Sequence, residues 1–238
     1  MKETVIVIGS GIVARSLSAT LSWLGDEVVN IDCNSQESLN RLPGILRLGK
    51  VSCVYHLEDG TKQDSLDAFY YVCDNCKMRG VKLVYASAPV ESGLNVAERY
   101  AKFYNREATG VRLFNVYGPN PCQGTLLHSL LYGECVKLEH NGEDIRCFTF
   151  IDNAVEGLIY ASASGDAILN CVNDEPMSVL DFCREVQELQ IDRGEKPVKL
   201  LRLSQAGEST IETIDRNFPV IDIPYTTVKE GLKKLYIS

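Results

Sequence analysis

The chain has 238 residues, 45% of them hydrophobic, enough for one large core or for one core with a smaller lobe attached. Its 24 basic and 32 acidic residues leave a formal charge of -8, which offers no broad attraction for nucleic acid or an anionic lipid surface, so any phosphate-bearing ligand must be held by local groups. No apolar run approaches the roughly 20 residues needed to cross a bilayer, and the opening MKETVIVIGS enters a strand-like run with no signal-peptide pattern, so no membrane partner is expected and the cytoplasm is the expected compartment.

The first short β-branched run covers residues 4–8, and Gly9, Gly11 and Ala14 follow it. Gly9 permits a tight turn, Gly11 lets the backbone approach a pyrophosphate, and Ala14 is small enough for close helix packing. Gly9, Ser10, Gly11 and Ile12 would then present a helix N-terminus to an anion. Val13, Leu17, Leu21 and Leu24 form a helical stripe, and Gly25 supplies its stop. A second run, 27–31, leads to Asp32. Its carboxylate can accept bonds from both ribose hydroxyls of an adenosine and would repel a 2′-phosphate, which favours NAD over NADP. A purely structural glycine turn is the alternative.

A third run, 52–56, precedes Glu58 in EDGTKQD, which by itself reads as a solvated loop acid. In DSLDAFYYVCDNCKMRG, Leu66, Phe69, Cys73 and Cys76 repeat at helical spacing; Asp64 or Ser65 is expected to cap the start and Gly80 to end the helix. The nine cysteines are odd in number and scattered except for this pair, so they read as reduced, and the pair as small apolar filler rather than a redox centre. His56, His128 and His140 are too dispersed for a zinc set, and no metal site is expected. Further runs at 82–86 and 111–116 complete an alternation of strand and helix that predicts a parallel sheet covered on both faces. Beyond Pro119 the pattern loosens, with turn signals at 119–124, 141–144, 173–176 and 193–197.

Taken in order, VIVIGSGIVARSLSATLSWLGDEVVNIDCN, CVYHLED, VKLVYASAPV, AERYAKFYNREATGVRLFNVYGPN, GEDIRCFTFIDNAVEGL, NCVNDEPMSVLDFCREVQEL and IPYTTVKEGLKKL resemble the landmarks of the extended short-chain dehydrogenase/reductases, the NAD-dependent epimerase/dehydratase family. Extended members usually carry one more residue in the glycine turn, and they place a small alanine near the cofactor where this chain has Glu58, so the resemblance implies a carboxylate close to the pyrophosphate: either cofactor affinity is weakened or the loop has moved. The resemblance implies an α/β fold, a Rossmann-type doubly wound parallel sheet with a small discontinuous C-terminal substrate lobe. The expected bounds are 1–118 for the core, completed by about 147–164, with 119–146 and 165–238 as the lobe. It also implies NAD, a nucleotide-sugar ligand, and a homodimer formed through helices near 66–78 and 96–107. Asn115, expected to end a strand before a Gly118-Pro119 turn, matches an asparagine that touches the nucleotide-sugar in the family. Arg146 matches an arginine that in several members grips the nucleotide diphosphate. A turn-capping amide and a solvated arginine are the plainer readings.

The family's chemistry needs a Tyr-x-x-x-Lys pair for proton transfer, with a nearby Ser or Thr. Aligning Glu98 with the glutamate that follows the lysine by four puts Val90 at the tyrosine position and Leu94 at the lysine position, neither capable of acid/base work. The serine position falls on Ala88, one past Ser87, and the stretch between serine and tyrosine is almost absent. Tyr225 and Lys229 repeat the spacing at the start of a terminal helix capped by Thr227 and Glu230, and are a decoy. Ser87, Tyr100 and Tyr104 remain as catalytic candidates, with aromatic packing the plainer role for the two tyrosines. Three readings stay open: an NAD-binding family member degenerate at its catalytic site, an active nucleotide-sugar epimerase, dehydratase or reductase with relocated groups, or a fold that has lost its cofactor.

Overall fold

The structure is a computed structural model that describes residues 3–33, 35–48, 50–58, 63–90, 93–203 and 208–235; the side chains of Leu48, Gln63 and Asp64 lie outside that set. In chain order the elements are β1 (Thr4–Ile8), α1 (Ile12–Leu24), β2 (Glu27–Ile31), α2 (Gln36–Leu39), α3 (Leu42–Leu48), β3 (Val51–His56), α4 (Gln63–Arg79), β4 (Lys82–Ser87), α5 (Val96–Tyr104) and β5 (Thr109–Leu113). They continue as α6 (Leu126–Tyr132), β6 (Cys135–Leu138), β7 (Ile145–Arg146), α7 (Ile151–Ala163), β8 (Ile168–Cys171), β9 (Met177–Ser178), α8 (Val179–Asp192), β10 (Lys199–Arg202) and α9 (Val228–Lys234). Two compact units result: 1–113 with 154–171 and 214–223, and 114–153 with 172–213 and 224–238.

The first unit holds a six-stranded parallel sheet in the order β2-β1-β3-β4-β5-β8. This is the doubly wound α/β fold that the strand and helix alternation predicts. The chain moves from β1 to β2 on one side and then to β3 on the other, so the order reverses between β1 and β3. In open α/β sheets the crevice beyond the carboxyl ends at such a reversal is where ligands bind. Gly9 leaves β1 there, and Leu57 and Glu58 leave β3.

Two elements differ from the sequence reading by more than one residue at a boundary. The strand expected at 111–116 is β5, which ends at Leu113; Asn115 takes φ 37°, a left-handed conformation that interrupts an extended strand. Helix α4 begins at Gln63, so Asp64 and Ser65 lie within its first turn rather than capping it.

One sheet face buries Ile6, Ile8, Val54, Leu83, Tyr85 and Ile168 against Phe69, Val72, Cys73 and Cys76 of α4. Each such side chain, fully buried, contributes about 1.5–3 kcal/mol. Cys73 and Cys76 are wholly buried in this layer. Phe69 meets His56 edge-on at 5.6 Å and the Tyr85 ring at 4.9 Å. Tyr85 in turn requires glycine at 110, where a β-carbon would stand 2.7 Å from the tyrosine ring and hydroxyl.

A buried polar network ties the sheet to α5. Glu98 accepts hydrogen bonds from Arg112 Nε and Nη2, both at 2.8 Å, with each side chain almost wholly buried. Arg112 also donates to the Gly93 carbonyl, approaches Asp215 at 3.8 Å and lies 4.7 Å from the Phe218 ring centre. Asn95 and Glu98 form a reciprocal capping box at the start of α5.

In the second unit β6 pairs with β10 in parallel and β7 with β9 antiparallel. Phe148 stacks on Phe182 of α8 at 4.0 Å, and Tyr117 meets both Phe150 and Phe182 edge-on. Thr227 and Glu230 form the capping box of α9. Tyr225 stands before that helix, its hydroxyl accepting from the Val172 amide at 3.2 Å, so it and Lys229 do not belong to one helix face. Among the described residues no helix is long and apolar enough to cross a membrane.

Two stability predictions follow from these buried groups. Burial pushes His56 from 6.5 down to about 4, so the unfolded chain takes up the proton first as pH falls. Stability should be full above pH 6.5 and should decline through about pH 4, by about 3 kcal/mol in all, and His56→Leu should remove that part of the decline in urea melts. Arg112→Met leaves the Glu98 carboxylate buried without its cation and should cost about 3–5 kcal/mol by urea unfolding.

Candidate functional site

The glycine turn is built as an anion seat. Gly9 has φ 143°, and its amide donates to the Ile31 carbonyl at 3.1 Å, which fixes the turn against the end of β2. A β-carbon on Gly9 would stand 3.3 Å from the Leu57 carbonyl and 3.4 Å from the Ala14 β-carbon, so both the conformation and the packing call for glycine. Gly11 is the N-cap of α1 and makes no side-chain cap, and nothing lies within 4 Å of where its β-carbon would be. The α1 N-terminus, entered at Ile12, therefore has open space for a ligand, and its first amides and dipole favour negative charge there.

A second amide of the turn, that of Ser10, is also taken. Glu58, leaving β3, accepts from the Ser10 amide at 3.1 Å through Oε1. Arg15 donates to the Ser10 carbonyl at 2.8 Å. Asp32 follows β2 and is exposed. Next to it, the Cys33 thiol is pushed up to about 12, by burial first, then by a hydrogen bond to Glu58 and the charges of Glu58 and Asp32. A cavity of about 540 Å³ opens here, lined by Cys33, Gln36, Leu39 and Glu58 on one side and by Ser65, Asp67, Ala68 and Tyr71 of α4 on the other.

The catalytic candidates of this unit are engaged elsewhere. The Ser87 hydroxyl donates to Glu98 at 2.7 Å and accepts from Asn95 at 2.7 Å, which makes it a member of the Arg112 network. Tyr100 donates to Asp74 at 2.9 Å, and its ring lies between Tyr70 at 4.3 Å and Tyr104 at 4.4 Å. Burial, then the Asp74 bond and charge, raise the Tyr100 hydroxyl well above its ordinary range, so it stays protonated near neutrality. Tyr104 is half exposed at the end of that stack. Leu94 packs against the apolar core.

The two substrate candidates, Asn115 and Arg146, both contact the segment 210–212 of their own unit. Asn115 Nδ2 donates to the Cys147 carbonyl at 2.9 Å and to Glu212 at 2.7 Å, and Glu212 also accepts from the Cys147 amide at 2.9 Å. Arg146 donates to the Thr210 carbonyl at 3.2 Å and to its hydroxyl at 2.7 Å. Asp144 accepts from the Thr210 amide and hydroxyl and lies 3.8 Å from Arg146. Burial alone would raise Asp144; the Thr210 bonds, a bond from His140 and the Arg146 charge outweigh it and hold the carboxyl at about 2. The result is a patch of amide and guanidinium donors for an oxyanion, with Glu212 now held by two of its donors.

The turn, Asp32, Asn115 and Arg146 were named from the sequence as candidates, and Glu58 was flagged. Sequence reasoning missed Cys33, Thr210 and Glu212, because Glu212 lies 97 positions from Asn115, and Thr210 lies 64 from Arg146, with no periodic signal joining them. Among the described residues no group of three or more His, Cys, Asp or Glu could hold a metal ion.

Residues 92–171 match the model of the NAD dependent epimerase/dehydratase family. Protein CapI of Staphylococcus aureus is 24% identical over 178 residues, 63% of this chain and 52% of that protein. UDP-glucuronate 4-epimerase 2 of Arabidopsis thaliana is 25% identical over 175 residues, 62% of this chain and 39% of that protein. The chain thus spans about half the length of the curated relatives it matches. Among solved structures, MoeE5 in complex with UDP-glucose and NAD superposes with a TM-score of 0.76 at 23% identity, covering 98% of this chain and 97% of that one, a likeness of fold. The likeness to this family is therefore carried by residues 92–171, and the sheet shares the Rossmann-like fold of the solved neighbours.

Proposed function

We propose that this protein binds NAD in its first unit and a nucleotide-sugar in its second, and that it does so without the family's proton-transfer chemistry. The observation that carries the cofactor part is the uncapped α1 N-terminus with open space above Gly11, at the β1/β3 reversal, with Asp32 on the adjoining strand. These residues fit a dinucleotide. Over the turn that Gly9 makes, Ser10, Gly11 and Ile12 would hold the diphosphate, and Asp32 the adenosine ribose hydroxyls, once Glu58 leaves the Ser10 amide. When bound, NAD supplies hydride transfer.

On this reading, the proton transfer that must accompany hydride transfer finds no side chain among the described residues of this segment. Val90 and Leu94 occupy the acid/base positions, and Ser87 is spent on Glu98. The relatives support a nucleotide-sugar ligand: the MoeE5 structure holds UDP-glucose and NAD, and the Arabidopsis relative is named for UDP-glucuronate. On this reading the first unit is the dinucleotide domain, Asn115 and Arg146 are the sugar-nucleotide contacts of the lobe, and the protein works in the cytoplasm. Pairing of two copies belongs on α4 and α5, where Met78 and Phe103 are strongly exposed.

Asp32→Ala should weaken NAD binding by about tenfold to a hundredfold by calorimetry, the loss expected for hydrogen bonds to a carboxylate. Unchanged affinity removes Asp32 from the site. Arg146→Ala should weaken binding of UDP-, GDP- or dTDP-sugars by about tenfold or more; indifference across that panel denies it a substrate role. Mass spectrometry of purified protein with the same panel and NAD should return retained dinucleotide and unaltered sugar. An altered sugar would establish an active epimerase, dehydratase or reductase with relocated groups.

A further inference from the structure

We propose that Glu58 sets the ligand selectivity of the glycine turn, admitting an adenosine freely but holding the Ser10 amide against any ligand that brings a diphosphate. This rests on the dinucleotide reading of the turn and names a residue that tunes it. Three observations meet at this carboxylate. Its Oε1 accepts from the Ser10 amide at 3.1 Å, the kind of donor a diphosphate oxygen would take. The same oxygen lies 3.4 Å from where a Gly9 β-carbon would be, so it lies over the turn rather than out in solvent. The Glu58 side chain also lines the 540 Å³ cavity with Cys33, Gln36, Leu39 and Tyr71.

The consequence for ligands is one of charge and of occupancy. A diphosphate and the Glu58 carboxylate compete for one donor, and two anions side by side in a part-buried crevice repel. Binding a diphosphate therefore requires Glu58 to leave the turn, and the apparent affinity falls by the fraction of molecules in which it has left. A nucleoside presents no such charge. It has no need of the Ser10 amide and brings no anion against the carboxylate, so Glu58 in place does not oppose it.

The test is calorimetry of the full chain and of its Glu58→Ala and Glu58→Gln variants with three probes: adenosine, ADP and NAD. Glu58→Ala should tighten ADP and NAD by about tenfold or more while adenosine stays within about twofold. Glu58→Gln keeps an oxygen that can accept from Ser10 but drops the charge, and should give a smaller gain for the same two ligands; it also serves if the alanine variant folds poorly. If ADP and NAD bind the wild type and both variants alike, or if adenosine gains as much as they do, Glu58 does not select. Should NAD still respond to Asp32→Ala in that case, only the role of Glu58 is overturned. If none of the three probes binds any version of the protein, the dinucleotide reading falls and the selectivity falls with it.

Discussion

The ion pair between Arg112 and Glu98 decides where the rest of the first unit can stand. A guanidinium removed from water is tolerable only with its hydrogen bonds made, and here the partners come from separate parts of the chain: Glu98 on α5, the Gly93 carbonyl before it, and Asp215 with the ring of Phe218 far along the sequence. Satisfying one buried charge thereby locks α5 to the sheet and brings residues 214–223 into the same unit. It also fixes the fate of Ser87, whose hydroxyl is drawn into the network at 2.7 Å from the carboxylate. The start of α5 and the segment just before it are thus held by a structural ion pair.

A second theme is that the chain's own carboxylates stand on groups suited to bind anions. In the first unit Glu58 takes the Ser10 amide of the turn. In the second, Glu212 takes Asn115 and the Cys147 amide. Amides and guanidinium groups grouped for an oxyanion favour one whether it arrives on a ligand or on a side chain. A carboxylate in such a place satisfies the donors in the free protein and yields to a ligand only at the cost of its own bonds.

Much of the first unit was legible from local rules. The alternation of apolar runs predicted the parallel sheet, the stripe through Phe69, Cys73 and Cys76 predicted the buried face of α4, and Thr227 with Glu230 predicted the start of α9. Errors fell where a backbone angle or an early helix start overruled the pattern. Asn115 adopts a positive φ and ends the extended run sooner than its β-branched residues suggest, while α4 starts before the polar residues that could have capped it. The catalytic candidates on α5 were named for their residue type and their shared helix face; Tyr100 and Tyr104 are stacked on each other, with the Tyr100 hydroxyl given to Asp74.

By itself, then, the amino-acid order determined the class of fold, the glycine turn with an acid after the next strand, and apolar residues at positions 90 and 94. Those are matters of residue type, short-range spacing and periodicity, which are written along the chain. Only the tertiary structure decided which donors are already taken, because Ser10 and Glu58 lie 48 positions apart, Arg146 and Thr210 64, and Asn115 and Glu212 97. A hydrogen bond forms or fails within a few tenths of an ångström, and such placement is set by how sheet, helices and loops pack together rather than by any neighbour in sequence.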